Sequence, residues 1–584
     1  MKFSIYKLSV IGASLMMLTA CESALDRYPK DKLTPDTFFK TAKECELFTN
    51  DFYTMFPAAA DIFKETADVI SQKTLTQEVQ GTRLIPSTAS TWKWDKLRDI
   101  NFFLEYSKNC AVTSDRLQYE GVARFFRAYF YFEKVKRYGD VPWLDVALAS
   151  DDERLYMGRT SRVEVVDHMV EDLDFAIDNM DAAKSLYTVT KWTALALKSR
   201  VALFEGTFRK YHGIDGWERL LQISADASEQ FIKNSGYGIY NEGATPYLNL
   251  FNSISAIGTE IVLARAYNAS IPLQHDLNGY LTSPTQGRPG IMKDVVNMYL
   301  MTDGTPFTSK PGYDTMTLPM ESQGRDKRLA QTIRTPGYVR VGETAESAPN
   351  TAACETWYQP IKYLQAATYD AYNSSIVDMP LFRTAEVYLN YAEAKAELGT
   401  LTQTDIDMSI KPLRDRAGVA NLNLGYANAN PDPYLMDPIT GYQNVKGSNA
   451  GVILEIRRER TVELMMEGFR YWDIMRWHEG QRFTRPFLGM YVPAPGEYDL
   501  NADGTPDVCV WSGNKPATTA ANVYEIGKDI VLTDGNSGNI LLHTDYNRVW
   551  RQDRDYLYPV PTDDRILTGG KISQNPGWED GLGY

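Results

Sequence analysis

The stretch from Ile453 to Trp477, ILEIRRERTVELMMEGFRYWDIMRW, constrains this fold more than any other segment. Five arginines (Arg457, Arg458, Arg460, Arg470, Arg476) share it with five carboxylates (Glu455, Glu459, Glu463, Glu467, Asp473). Met465, Met466, Phe469, Tyr471, Trp472, Met475 and Trp477 lie among them, too apolar for a solvated charge run. The glutamates recur every four residues, so they climb one side of a helix that would span roughly 37 Å. Arginines three or four residues away can pair with several of them. The segment therefore predicts a central, partly buried helix with its charges matched in pairs, because an unpaired buried charge is too costly to keep. A catalytic row of carboxylates is disfavoured, since neighbouring guanidinium groups hold such acids ionised.

A chain of 584 residues has room for two to four domains or one large core. Its formal charge of −14 repels phosphate backbones and argues against nucleic acid as a partner. The same acidity argues against a polybasic mode of membrane binding. Aromatic residues make up 12% of the chain, enough to feed either sugar-stacking platforms or tightly packed helical repeats.

The amino end predicts the compartment. Lys2 and Lys7 precede the apolar run LSVIGASLMML, which has signal-peptide length and is too short for a permanent membrane span. It leads into Leu18-Thr19-Ala20-Cys21, a bacterial lipoprotein cleavage site in which residues 1–20 are removed and Cys21 is acylated. Several acyl chains anchor a protein stably, each buried methylene contributing about 0.8 kcal/mol. Cys45, Cys110, Cys354 and Cys509 have no metal-ligand spacing. They are compatible with one or two disulfides in an oxidising compartment, and equally with buried free thiols.

Residues 21–35 read as a tether, with Pro29 and Pro35 excluding a helix. Helical periodicity follows at 37–56, 92–110, 115–139, 161–180, 190–211, 217–234, 383–399 and 402–419. These segments come as hairpins about twenty residues to the arm, a degenerate tetratricopeptide-like pattern. Residues 241–380 and 418–450 are rich in Gly, Pro, Asn, Ser and Thr, and loops that long are usually functional. A weak β pair is expected between residues 523–533 and 538–544. The fold class is mainly α: a hairpin scaffold over 36–240 and a loop-rich region over 241–584 packed on it, with minor β.

The chain resembles the SusD/RagB family of outer-membrane lipoproteins of Bacteroidetes-type bacteria. The residues that carry the resemblance are LDRYPKDKLTPDTFF after Cys21, GVARFFRAYFYFEKVKRYGDVPW at 121–143 and ALKSRVALFEG at 196–206. SPTQG at 283–287, RDKRL at 325–329, RTAEVYLNYAEAKAELG at 383–399 and LRDRAGV at 413–419 continue it. The charged segment at 453–477, YLYPVP at 556–561 and QNPGW at 574–578 complete it. The resemblance implies four tetratricopeptide-like hairpins, a loop-rich carboxy-terminal half and a place on the outer face of the outer membrane. There the protein would be a lid on a SusC-like TonB-dependent transporter, capturing glycans, or in some members peptides, without chemistry on them. Glu22 is followed by Ser-Ala-Leu before Asp26, so surface exposure follows from the resemblance and not from a local acidic signal.

Glycan capture needs aromatic faces and groups that read hydroxyls. Trp92, Trp94, Tyr280, Trp357 and Tyr358 are the stacking candidates, and Arg83 and Asn101 the polar ones. At least two of Trp92, Trp94 and Trp357 are expected to face one exposed groove; the alternative for each ring is padding of the scaffold. Asp499, Asn501, Asp503, Gly504, Thr505 and Asp507 match positions 1, 3, 5, 6, 7 and 9 of a calcium loop, though position 12 is Val510 rather than Glu. A structural calcium and a plain Asx-rich turn are both open there. No H-E-x-x-H, nucleophile elbow, P-loop or dinucleotide fingerprint occurs. A glycoside hydrolase, which needs only two carboxylates, is the alternative from another class.

Overall fold

The computed structural model describes residues 38–65 and 67–583. The signal segment, Cys21 and the tether lie outside the described residues. Helices dominate. Helix α1 (Ala42–Thr49) opens on a capping box in which Thr41 accepts from Glu44 N–H and Glu44 reaches back. It is shorter than the periodicity over 37–56 predicts, because the chain tightens into a 3-10 turn at Asn50–Met55. Helix α2 (Asp95–Tyr106) packs on α3 (Thr113–Tyr138), which ends at Gly139 with φ 69°. Then come α4 (Arg162–Asn179), α5 (Lys191–His212), α6 (Trp217–Asn234), α7 (Thr384–Leu398) and α8 (Gln403–Ala417). The pairs α3/α4, α5/α6 and α7/α8 each pack as antiparallel hairpins, and α6 also lies against α7.

Two large apolar cores result. One is built mainly by residues 39–237 and holds Phe52, Phe103, Phe125, Phe126 and Tyr131. The other runs from Ala59 to Tyr556 and is dominated by the carboxy-terminal half. Strand β1 (Ile261–Arg265) pairs antiparallel with β2 (Met379–Arg383), bringing Ile261 opposite Arg383. Strand β3 (Phe487–Val492) pairs with β7 (Gly538–Leu542), and β4 (Gly496–Tyr498), β5 (Val508–Trp511) and β6 (Asn522–Glu525) form a small mixed sheet. The expected pairing of 523–533 with 538–544 survives only as a short contact, Leu532 bridging Ile540. The better partners are β5 for β6 and β3 for β7.

The charged segment is central and buried, but it is not one helix. It forms α9 (Ala450–Glu463) and α10 (Arg470–Arg476), separated by a turn in which Met466 and Gly468 have φ of 61° and 79°. The break combines a local glycine with a distant partner. Glu65 accepts the backbone N–H groups of Met466 and Arg470, both at 2.8 Å, and so caps the second helix from 405 positions away. The turn also swings Glu467 out to Arg383 and Lys362.

Most of its charges find partners on other elements, not along the helix. Glu463 receives Arg328 at 2.8 Å and Arg383 at 2.7 Å, together with Arg416. Glu459 pairs with Arg328 at 2.7 Å and Arg414 at 2.9 Å. Arg470 grips Asp68, and Arg476 grips Glu393. Arg458–Glu455 and Arg476–Asp473 keep the i,i+3 geometry. Burial works against the Glu463 charge, yet its three arginines hold the carboxyl well below the usual range.

Candidate functional site

The aromatic residues singled out from sequence are mostly inside. Trp92 is 2% exposed and meets Trp94 and Tyr138 edge-on at 5.6 and 4.6 Å. Trp94 is half-buried beneath the Lys134 ammonium, 5.2 Å from its ring. That ammonium donates to the carbonyls of Thr91 and Lys93, each at 2.7 Å, and burial lowers it to about 7. Tyr280 packs against Phe63, with Lys64 over its ring. Trp357 is also 2% exposed and lies at 5.1 Å from Tyr524. Tyr358 is buried and donates to Glu321 at 2.6 Å. The expected exposed groove is therefore not assembled from two of Trp92, Trp94 and Trp357. Large rings gain most by full burial, and the cores take them.

The two polar candidates position backbone. Arg83 is buried between the rings of Tyr558 and Trp578 and pairs with Asp555. Asn101 donates to the carbonyls of Leu144 (2.9 Å) and Val146 (3.2 Å) and accepts from Arg127. It does line an open cleft of about 450 Å³ with Arg124, Asp145 and His168. The Trp143 ring in that cleft is covered on Tyr131 at 4.3 Å and stacked with His168 at 4.5 Å.

A larger cleft, about 600 Å³, runs between α3 and the turn before α10, lined by Tyr129, Glu133, Arg137, Tyr471, Trp472 and Tyr558. Its chemistry suits a polar ligand, but Lys136 and Arg137 already lie over Trp472 at 4.6 and 5.0 Å. Burial opposes the Glu133 charge, and Lys136 and Arg137 nevertheless hold that carboxyl down at about 2.

A free aromatic face is found instead on the long loops. Tyr372 is 83% exposed. Its loop is fixed by three ties: His275 bridges Ser375, Asp276 accepts Asn373 N–H, and Arg340 pairs with Asp370. Ile271, Leu273, Val339 and Val341 are exposed on the same tied loops, among Asn268, Gln274 and Asn373. Sequence reading missed Tyr372, although an aromatic ring inside the turn-forming run Asp-Ala-Tyr-Asn-Ser-Ser was the available signal.

The 499–507 loop joins β4 to β5. Asp499 accepts the N–H groups of Asp503 and Gly504 at 3.2 and 2.7 Å, Asp503 that of Thr505 at 2.8 Å, and Asp507 that of Leu500 at 2.7 Å. Asn501 is buried, donates to Asp503 at 3.0 Å and leaves its own Oδ1 without a donor. Among the described residues, no group of three or more His, Cys, Asp or Glu side chains is placed to hold a metal ion. Burial lowers His212 to about 3 and His543 to about 4, so both are neutral at pH 7.

The sequence profile of the SusD family matches residues 265–578, more than half of the chain. The chain belongs to the SusD family. A second profile, described as starch-binding associating with outer membrane, matches residues 53–203 of this SusD family member. Two SusD-like proteins of Formosa agariphila, P38 and P2, are each 24% identical to it. The first alignment covers 82% of this chain and 93% of P38, the second 85% and 95% of P2. A solved SusD-like protein from Bacteroides fragilis superposes with a TM-score of 0.65 at 20% identity, covering 96% of this chain and all of the other. A SusD-like carbohydrate binding protein from the same species gives 0.66 at 20% identity, covering 91% and 99%. These likenesses establish the SusD fold for the chain. Among the described residues, no helix of this SusD family member is long and apolar enough to cross a membrane.

Proposed function

We propose that the protein captures oligosaccharide or polysaccharide on the cell surface and passes it, uncleaved, to a SusC-like TonB-dependent transporter in the outer membrane. The observation that carries this reading is the match of residues 53–203 to a family described as starch-binding and outer-membrane-associated. A lipid on Cys21 supplies the anchor. The tied loops around Tyr372 supply the capturing face, because a free ring stacks on the apolar face of a sugar while Asn373, Gln274 and Asp276 read its hydroxyls.

The test uses protein lacking residues 1–21 in a calorimetric panel of glycans and peptides, with an assay for new reducing ends run alongside. One class of glycan is expected to bind without cleavage. Tyr372→Ala is expected to weaken it about tenfold, roughly 1.4 kcal/mol. At 83% exposure, this ring adds nothing to the core, so the melting temperature stays unchanged. Binding of peptides alone would replace the glycan reading by peptide capture. New reducing ends would replace it by a glycoside hydrolase.

A further inference from the structure

We propose that the seam between the two apolar cores holds a second, internal binding site: a chamber that takes a single neutral sugar residue. The open cleft between α3 and the turn before α10 does not end at its floor. It adjoins a smaller chamber of about 190 Å³, and Tyr129, Glu133, Arg137, Gly468 and Trp472 line both spaces. Phe56 and Tyr129 on its wall belong to the first core, Ile62 belongs to the second, and Trp472 packs against both. Junctions between packed units are where ligand sites most often form. The inner wall includes Leu203, Glu386, Asn390, Arg460 and Arg476, each no more than 3% exposed, so whatever enters stops there.

Helix α3 supplies a ladder along this passage. Tyr129, Glu133 and Arg137 stand four residues apart on one face, a rise of about 6 Å per step. A hydroxyl, a carboxylate and a guanidinium therefore follow one another. Tyr129 is 7% exposed, and Phe56 holds its ring edge-on at 5.1 Å. Among the described residues its hydroxyl has no hydrogen-bond partner, although a phenol under such cover normally finds one. Glu133 receives Lys136 on one oxygen at 2.5 Å and Arg137 on the other at 2.7 Å, which leaves a lone pair on each. Arg137 uses only Nη1, and Arg200 on the chamber wall uses only Nε and Nη2. Tyr129 Oη, Arg137 Nη2, Arg200 Nη1 and the Glu133 oxygens remain for a ligand.

These groups suit hydroxyls better than charge. Lys136 and Arg137 already share Glu133, Arg200 has Glu386, Arg460 has Asp473 and Arg476 has Glu393. An ion entering so balanced a field sheds its water without gaining a partner. A sugar hydroxyl donates and accepts at once, so it can use a spare N–H and a spare lone pair together. Because Lys136 and Arg137 cover Trp472, hydrogen bonds and not ring stacking set the affinity. The residue held is a free sugar or the end of a longer chain whose next unit lies in the outer cleft.

The proposal rests on the capture reading for its ligand being a sugar, and the experiment separates the two. Protein lacking residues 1–21 is titrated with glucose, galactose, mannose, xylose and glucuronate, by calorimetry and saturation-transfer NMR, and then with the linear trisaccharide of the sugar that binds. At least one neutral sugar is expected to bind at millimolar concentration, and glucuronate is not. Tyr129→Phe keeps the ring on Phe56 and removes only the hydroxyl, so it should weaken binding about fivefold without lowering the melting temperature. A trisaccharide that also depends on Tyr129 identifies a chain end; a monosaccharide bound alone identifies a free sugar. No binding by any neutral sugar, glucuronate binding as well as the neutral sugars, or binding indifferent to Tyr129→Phe would each overturn the chamber. Tyr372→Ala should leave monosaccharide binding intact, and its loss there would move the sugar to the exposed loops and overturn the chamber alone. A monosaccharide held through Tyr129 in a protein that binds no polysaccharide would overturn capture and leave the chamber standing.

Discussion

Replacing Arg383 by methionine probes the centre of the buried charge lattice. Arg383 is 2% exposed, and its guanidinium makes five hydrogen bonds. Nε donates to Glu467 at 2.6 Å, Nη1 to Glu260 at 2.8 Å and Glu463 at 2.7 Å, and Nη2 to Glu463 O and Glu467, both at 2.8 Å. Methionine keeps the aliphatic stem and removes the charge. No carboxylate is then left alone: Glu260 keeps Arg416, Glu463 keeps Arg328 and Arg416, and Glu467 keeps Lys362. Removing one partner of a buried pair costs about 3–5 kcal/mol, and the surviving partners put Arg383→Met at the lower end, about 3 kcal/mol. Adding Glu467→Gln removes the surplus negative charge and is expected to recover part of that loss. The measurement is urea unfolding of the soluble protein. Lys43→Ala serves as the control, because the Lys43–Glu46 pair is 67% and 41% exposed, and its loss stays within about 0.5 kcal/mol. A loss below about 1 kcal/mol for Arg383→Met, with an unchanged denaturant slope, would refute the view that these charges lock the core.

Burial raises the Glu65 carboxyl to about 7, against the N–H donors of Arg470 and Met466. Its folded value lies above the ordinary 4.5, so the folded state holds the extra proton; its stabilisation is complete below pH 4.5 and is lost as pH rises to 7. Glu65→Gln is expected to remove a slope of up to about 1.4 kcal/mol per pH unit across that window, and a constant difference from wild type would count against it. A Cβ on Gly480 would sit 1.9 Å from the Trp550 ring, so Gly480→Ala is expected to cost about 1–3 kcal/mol and shift tryptophan emission; an unchanged melting temperature would contradict the packing. The 499–507 loop already binds its own backbone donors, so chelated protein should take up calcium only at millimolar concentration and lose it with Asp503→Asn. Micromolar binding, or none at all, would each show that reasoning to be wrong.

The helices most legible in the sequence were those that carry their own signals. Residues 217–234 and 383–399 combine apolar periodicity with a glycine or polar residue at each end, and both appear within a residue of the expected limits. The break at 464–469 was only half legible: Gly468, with φ 79°, is a local signal for it, whereas the Glu65 carboxylate that accepts Met466 and Arg470 N–H comes from far along the chain. The same limit applied to the aromatics. Trp92 and Trp357 occupy irregular segments like Tyr372, and only the tertiary packing decides that the first two are covered and the third is bare. Spacing along a chain reports which face of an element an aromatic shares; it does not report what arrives to cover that face.

Glu65 meets Met466, and Asp68 meets Arg470, across sequence separations of 401 and 402. Until both parts of the chain are present, the early acids must stay in water without the groups that later meet them. Solvated ions tolerate that delay well, whereas a dry surface would not accept them singly. The buried centre therefore closes only when residues from both ends of the chain are present together.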